Sequence, residues 1–315
     1  MNDQTRLTQP FKWIGSKARM RKHVLEIIAT IPRKLYVEPF GGSASVFFGK
    51  APENSVYNDK NGLLVNFFRK LRSDSDRAVI SRLASFTPES RTYWYEMKEV
   101  CKAFQSGDKA RLDSALDKAN LAEYDAETAV AFAFFYRQNL SFGGTYDRAS
   151  FGEALKPRSS SPYTNRVKKL DDFAGRITMC NITERDFRDC IEKHDDPETL
   201  FYCDPPYECD PSHDWYAGKW TSADTNDLVS ILCDVKGSAV LSCYDGDLYK
   251  PLLDAGYEKR DFTARSTIRQ KYGDADSERT ETIYWRHAGA NEKTSAAAAK
   301  RKSPRTLFDL EKSRG

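Results

Sequence analysis

This 315-residue sequence contains few cysteines and few histidines. The seven cysteines form no Cys-x-x-Cys pair, and the four histidines are scattered along the chain. An odd number of cysteines without metal-ligand spacing argues against both a disulfide framework and a zinc ribbon. We therefore expect reduced, structural cysteines and a chemistry that uses no metal.

Long apolar runs are also absent. The longest stretch, residues 129–136, is far shorter than the roughly 20 apolar residues that span a bilayer, so it predicts a buried helix. The first residues are polar and charged, without the apolar core of a secretory signal. These features predict no membrane association and a cytoplasmic location.

The net charge of +3 is small and unevenly distributed. Residues 289–315 contain seven basic and three acidic side chains, which leaves the rest of the chain slightly acidic. A DNA-binding surface must then come from local basic clusters at 12–22 and 265–271, although each cluster alone is better explained as a solvated patch. The alanine-rich tail, 289–315, is predicted to be disordered. The alternative is that residues 306–310 of this tail form a short docking peptide for a partner.

The sequence does contain an alternation of short β-type runs and helical stretches, which predicts an α/β sheet with crossover helices. The predicted strands are residues 34–39, 55–57, 177–180, 200–203 and 239–244, with a closing hairpin at 259–263 and 282–285. Two predicted helices, 93–104 and 127–139, and a Gly, Ser, Pro and Arg-rich loop interrupt this alternation. We interpret 1–84 and 171–288 as one domain and 85–170 as an inserted, mainly helical domain.

A carboxylate and two prolines directly follow an apolar strand in Asp204-Pro205-Pro206-Tyr207. Prolines fix the backbone and leave their carbonyl groups available as acceptors. Asp204 and the Pro205 carbonyl can therefore accept the two hydrogens of an exocyclic amino group, while Tyr207 stacks on its ring. Such a site turns the nitrogen lone pair toward an electrophilic methyl group. A simple proline turn remains the alternative explanation.

A glycine turn follows the first predicted strand, in Glu38-Pro39-Phe40-Gly41-Gly42. Glycines allow close approach of a ligand, and Asp59 follows the next strand, where an acidic side chain commonly binds ribose hydroxyls. No Lys-Ser or Lys-Thr pair for phosphates follows the glycines, so a nucleoside such as S-adenosylmethionine fits better than a nucleotide. Upstream, Trp13 is a candidate pocket wall and Lys17 a candidate partner of the methionine carboxylate.

These motifs together resemble the Dam-type DNA adenine methyltransferases of the alpha class, in order over most of residues 10–285. The similar blocks are Lys12-Trp13-Ile14-Gly15-Ser16-Lys17, with Ser16 in place of a glycine, Glu38 to Gly42, Asn58-Asp59-Lys60-Asn61, and the identical Asp-Pro-Pro-Tyr block at Asp204. The resemblance implies a Rossmann-like S-adenosylmethionine-dependent methyltransferase sheet with an inserted target-recognition domain.

The resemblance also implies roles for individual residues. The implied cofactor-binding residues are Trp13, Lys17, Glu38, Phe40, Gly42, Asp59, Asp186 and Asp204. The implied catalytic residues are Asp204, Pro205, Pro206 and Tyr207. The segment around Tyr136, Arg137 and Asn139 resembles the start of DNA contact in the family, although helix capping explains each of these residues about as well. Arg265 and Arg269 resemble the late loop beside the target base.

The implied activity is transfer of a methyl group to the 6-amino group of a flipped adenine in double-stranded DNA. Methylation of the 4-amino group of cytosine shares this geometry. The enzymes of the family that act on cytosine, however, tend to have Ser at the first position of the motif, where this chain has Asp204. Methylation of protein glutamine usually goes with Asn there, and a non-catalytic DNA-binding module is a further alternative. A restriction partner and the recognition sequence stay open.

Overall fold

The computed structural model describes residues 7–13, 20–142, 150–152, 162–206, 220–265 and 278–289. Its strands are β1 Leu35–Glu38, β2 Ser55–Asn58, β3 Cys180–Thr183, β4 Thr199–Cys203, β5 Ser238–Tyr244, β6 Glu258–Arg265 and β7 Glu278–Arg286. Its helices are α1 Arg21–Thr30, α2 Ser45–Gly49, α3 Gly62–Arg72, α4 Asp74–Phe86, α5 Arg91–Ser106, α6 Lys109–Lys118, α7 Ala126–Leu140, α8 Pro162–Val167, α9 Leu170–Ile177, α10 Phe187–His194, α11 Ser222–Asp234 and α12 Lys250–Asp254.

The strands form one sheet in the order β3-β2-β1-β4-β5-β7-β6. The pairs from β3 through β5 are parallel, while β7 is antiparallel to both β5 and β6. The predicted α/β sheet and its closing hairpin are therefore confirmed. The chain order reverses between β1 and β4, and such a reversal is where open α/β sheets bind their ligands, outside the carboxyl ends of the strands.

The predicted third strand, residues 177–180, begins three residues too early. Leu170, Phe173, Ala174 and Ile177 are all buried at spacings of three and four, so Ile177 belongs to the apolar face of α9. The strand begins only at Cys180 and alternates between buried and exposed positions. It lies at the sheet edge, which explains why its apolar pattern is too short to be recognised.

Helices cover both faces of the sheet. One hydrophobic core contains Tyr36 and Leu200 of the sheet together with residues of α1 to α5, α7 and α9. The second contains Val37 and Phe201 together with residues of α10, α11 and α12. Alternate residues of a strand point to opposite faces, so each buried strand contributes to both cores.

The helices of the predicted insertion contribute to the first core. Trp94 of α5 and Phe132 of α7 belong to the same hydrophobic cluster as Phe67 of α3 and Tyr36 of β1. Residues 85–140 therefore have no core separate from that of the sheet. The assignment of residues 85–170 to target recognition stays a prediction.

Among the described residues, no helix is both long enough and apolar enough to cross a membrane. Nor does that part of the chain bring together three or more His, Cys, Asp or Glu side chains that could hold a metal ion.

Candidate active site at the carboxyl edge of the sheet

Four acidic residues lie at the carboxyl ends of neighbouring parallel strands. Glu38 ends β1, and Asp59, Asp186 and Asp204 follow β2, β3 and β4. Parallel strands direct their carboxyl ends to the same edge, so the topology brings these four predicted site residues to one side of the molecule.

The glycine turn after β1 is packed tightly against β2. A Cβ atom added at Gly41 would lie 2.1 Å from a ring carbon of Tyr57, far inside contact distance. The hydroxyl of Tyr57 donates to the Gly42 carbonyl over 2.8 Å, and Gly42 has a φ of +50°. Residue 41 must therefore be glycine because there is no room for a side chain, whereas at residue 42 glycine is favoured because of the positive φ.

Asp59 joins this turn to the end of β2. Its carboxylate accepts from the backbone N–H of Gly42 and of Asn61, each over 2.8 Å. Burial raises the pKa of Asp59 to about 6, against the opposing effect of these two backbone donors. The carboxylate thus fixes the glycine turn in the protein itself, in addition to its predicted role toward a ribose.

Asn58 is a residue that the sequence reasoning left without a role. Its side-chain amide donates to the carbonyl groups of Pro39 and Arg185, and its oxygen accepts from the Thr183 hydroxyl and the Arg185 N–H. These bonds connect the ends of β1, β2 and β3 inside the protein. The only signal for Asn58 in the sequence was that it is the first residue of the Asn58-Asp59-Lys60-Asn61 block.

Trp13 is brought to the glycine turn by an anchored N-terminal segment. A Cβ atom added at Gly42 would meet the Trp13 indole nitrogen at 3.3 Å. Phe11, two residues earlier, is fully buried against the rings of Phe67 and Phe134. The predicted neighbours Trp13, Gly42 and Asp59 therefore lie together in the fold.

Aromatic rings from three separate elements form a wall beside the glycine turn. Phe40 packs on Phe187 at 5.2 Å between ring centroids and on Trp220 at 5.5 Å, and Phe187 packs on Trp220 at 5.4 Å. Phe40 was a predicted site residue, whereas Phe187 and Trp220 were not. Their distance in sequence hid the cluster, since no local pattern links them.

Asp186 caps helix α10 and takes part in ion pairs. Its carboxylate accepts from the Arg188 N–H over 3.1 Å and contacts the Lys60 amine and the Arg188 guanidinium at 3.1 Å each. Burial opposes ionisation, but these hydrogen bonds prevail and lower the pKa of Asp186. A carboxylate that stays ionised near an aromatic wall is suited to accept an amino hydrogen of a purine ring.

Glu38 is almost completely buried, with 2% of its surface exposed. The Tyr36 hydroxyl donates to it over 2.6 Å. Burial raises the pKa of Glu38 to about 8, and the charge of Asp204 acts in the same direction against the opposing effects of Tyr36 and Lys50. Glu38 therefore lies beneath the turn, not on its surface.

Asp204 and Pro205 begin directly where β4 ends. Register pairs Val37 with Phe201 across the β1–β4 border, so Asp204 lies beyond the end of β1, at the point where the strand order reverses. Asp204 is partly exposed and Pro205 is buried, as expected for a rigid backbone that presents a carboxylate to a crevice.

The structure does not place Tyr136, Arg137 and Asn139 at a surface. These side chains are at most 2% exposed. Tyr136 donates to the Pro88 carbonyl, and Asn139 donates to the carbonyl groups of Pro10 and Phe135. We therefore correct the expectation that they contact DNA, because buried side chains in these positions support the scaffold.

Several predicted residues lie outside the described ranges. They are Lys17, Tyr207 and Arg269, together with all of the tail after residue 289. Arg265 ends strand β6, and only its backbone is described. Their predicted roles stay predictions.

The model of the D12 class N6 adenine-specific DNA methyltransferase family matches residues 13–267. Relatives include the type II methyltransferase M1.LlaDCHI of Lactococcus lactis subsp. cremoris, 26% identical over 63% of this chain and 66% of its own length. The DNA N-6-adenine-methyltransferase of Escherichia phage P1 is 25% identical over 83% of this chain and 33% of its own.

A DNA adenine methylase of Vibrio cholerae is 25% identical over 62% of this chain and 64% of its own length. The chain thus spans about two thirds or less of the length of these curated relatives. The family match covers most of the chain and confirms the resemblance that the motifs indicated. This chain belongs to the D12 class N6 adenine-specific DNA methyltransferase family.

Proposed function

We propose that this protein transfers a methyl group from S-adenosylmethionine to the 6-amino group of adenine in DNA. The observation that carries the proposal is the position of Asp204 and its two prolines, at the end of β4 and at the reversal of strand order. Ligands of open α/β sheets bind at this place.

The residues along the sheet edge fit the proposed cofactor. The wall of Phe40, Phe187 and Trp220 offers apolar faces to an adenine ring. The carboxylates of Asp59 and Asp186 offer acceptors for hydroxyl and amino donors. A Cβ atom at Gly42 would lie 3.3 Å from the indole nitrogen of Trp13, so the glycine turn and this ring are close neighbours. When bound, S-adenosylmethionine supplies an electrophilic methyl group.

The residues of the motif hold the amino group of the target base. Asp204 accepts one amino hydrogen and the Pro205 carbonyl accepts the other, which directs the nitrogen lone pair away from the ring. Pro206 restricts the backbone, and Tyr207 stacks on the base with a contribution of ~1–3 kcal/mol. The base reaches this position by flipping out of the duplex, at a cost of a few kcal/mol. Positioning is then the main source of the rate enhancement.

Transfer of label from S-adenosylmethionine to unmethylated DNA tests the proposal. The DNA is digested afterwards and the labelled nucleoside is identified by chromatography. We expect label in N6-methyladenine, and a loss of about 100-fold or more in kcat for Asp204→Asn, since the amide replaces a carboxylate oxygen with an NH2 group that donates instead of accepting.

Asp234→Asn is the matched control, because Asp234 is an exposed aspartate at the end of α11. We expect this variant to retain wild-type activity. Label in N4-methylcytosine would assign the other base, and a wild-type protein that binds no cofactor and labels no DNA would overturn the proposal.

A further inference from the structure

Arg188, in the first turn of α10, contacts three carboxylates at once. Its guanidinium lies 2.8 Å from Asp224, 2.7 Å from Asp227 and 3.1 Å from Asp186. A second nitrogen of the same group also donates to Asp227, over 3.0 Å. The planar fork of arginine suits such multiple contacts, because its nitrogens donate in several fixed directions. We call this group of four residues the Arg188 cluster.

The Arg188 cluster connects two helices that are far apart in sequence. Asp186 caps α10, whereas Asp224 and Asp227 lie in the first two turns of α11. Asp224 also completes a capping box with Thr221 at the start of α11. A single side chain therefore fixes the beginnings of both helices relative to each other.

The same side chain contacts the aromatic wall. The Arg188 guanidinium lies over the Phe187 ring at 4.3 Å from its centroid, and Phe187 packs on Trp220. Trp220 immediately precedes the capping box of α11, and its indole N–H donates to Thr225 on that helix over 2.9 Å. The position of α11 thus determines where the Trp220 ring lies against Phe40 and Phe187.

Without Arg188, the cluster would consist of three carboxylates with no guanidinium between them to balance their negative charge. Burial opposes ionisation of Asp186 and Asp224, but hydrogen bonds prevail and lower the pKa of both, those of Arg188 being the largest for Asp224. At neutral pH they would repel each other across the border between α10 and α11. Lys60 contacts only Asp186, with an amine that is largely exposed, so it does not replace the bridge.

We propose that Arg188 is a positioning residue, which holds Asp186, Phe187 and Trp220 in the arrangement that receives the adenosyl part of the cofactor. This inference rests on the proposed function. It assigns a role to Arg188 and Trp220, which no motif of the sequence indicated, and to Phe187, which was not a predicted site residue. Arg188 acts through its neighbours and needs no contact with the reacting atoms.

Calorimetric titration with S-adenosylmethionine and S-adenosylhomocysteine, in the absence of DNA, tests the inference. For Arg188→Ala we expect Kd to rise about tenfold for both ligands, and for Arg188→Lys about threefold. For S-adenosylmethionine, which is cationic, the direction of the change in Kd distinguishes a positioning role from a simple electrostatic one. Removing a positive charge near the site would by simple electrostatics strengthen its binding, whereas loss of positioning weakens it.

Arg77→Ala is the matched control. Arg77 also bridges two carboxylates, Asp74 and Asp171, at 2.6 and 2.7 Å, but it does so between α4 and α9 on the other face of the sheet. We expect its Kd values to equal those of the wild type. Circular dichroism and thermal unfolding of each variant without ligand separate loss of fold from loss of affinity.

The double variant Arg188→Ala with Asp227→Asn tests whether the cluster acts as a unit. The described contacts of the Asp227 carboxylate are with Arg188, so we expect Asp227→Asn to weaken binding in the wild type but not in the Arg188→Ala background. Unchanged Kd values for a folded Arg188→Ala variant would overturn the inference and leave the proposed function intact. A wild type that binds neither ligand would instead overturn the proposed function.

Discussion

Glu38 shows at the scale of a single residue how burial changes chemistry. The resemblance to the family implied that this carboxyl group binds the cofactor. The structure buries it, with the hydroxyl of Tyr36 donating to it, and the charges of Lys50 and Asp204 influence its ionisation in opposite directions. Such a position could not be predicted, because the pattern of a strand end does not show the depth of a side chain.

The raised pKa of Glu38 predicts a dependence of stability on pH. Between its ordinary value of 4.5 and about 8, the folded protein keeps a proton that the unfolded chain has lost. The free energy of unfolding should therefore fall as pH rises through this range. Thermal unfolding from about pH 5 to about pH 9 should show a smaller fall for Glu38→Gln, which cannot ionise. Equal falls for the two proteins would contradict the prediction.

The space at Gly41 gives a second prediction at this scale. For Gly41→Ala the new methyl group would overlap the Tyr57 ring, and Tyr57 holds the Gly42 carbonyl. We expect a loss of about 1–3 kcal/mol in the free energy of unfolding, measured with urea, and weaker cofactor binding. Gly175→Ala is the control, because a Cβ atom there meets nothing within 4 Å. In helix α9 that change should stabilise the protein by about 0.5–1 kcal/mol.

The connection between the N-terminal segment and α7 is a property of whole elements. Residues 10–12 offer backbone carbonyl groups to side chains of α7: Asn139 donates to Pro10 over 3.3 Å, and Gln138 to Lys12 over 3.4 Å. Lys12 in turn donates to the Ser141 carbonyl, just beyond the end of α7. The segment that carries Trp13 to the glycine turn is thus attached to this helix.

Replacing Asn139 should disturb this attachment. In Asn139→Ala the Pro10 carbonyl and the Arg166 guanidinium lose a partner in a buried place, which costs about 1–3 kcal/mol of unfolding free energy. Urea denaturation measures the loss, and titration should show a higher Kd for S-adenosylmethionine because Trp13 is less well held. Asn181→Ala, at an exposed position of β3, is the control and should change neither quantity. Unchanged stability for Asn139→Ala would show that the attachment is unimportant.

Elements were predicted best where most of their residues are buried. The helix at 127–139 and the strands near 35, 200 and 239 were confirmed within a few residues, because each has a sustained apolar pattern. The edge strand β3 was misplaced, since only two of its residues are buried. Of the site, the motif residues were predicted, while Phe187, Arg188 and Trp220 were not, because only the packing of α10 against α11 brings them together.

At the scale of the whole molecule, cysteine burial makes a prediction about global unfolding. Of the six cysteines in the described ranges, five are buried and Cys233 is partly exposed. Burial raises the pKa of Cys101 to about 11 and of Cys190 to about 12, which suppresses the reactive thiolate. We expect labelling of most thiols by Ellman's reagent to accelerate together in urea, at the unfolding midpoint. Rapid labelling of all cysteines in native buffer would contradict this expectation.

The shared core also determines how this protein can be recombined with its relatives. An exchange of the segment between β2 and β3 at residues 85 and 170 would separate Trp94 and Phe132 from the side chains of α3 and β1 with which they pack. A graft with junctions after Ser141 and before Pro162 would keep the Ser141 hydroxyl that Trp94 of α5 contacts, together with the buried side chains of α5 and α7. Chimeras joined there should remain folded, because the exchanged segment leaves the core shared by α3, α5, α7 and β1 intact.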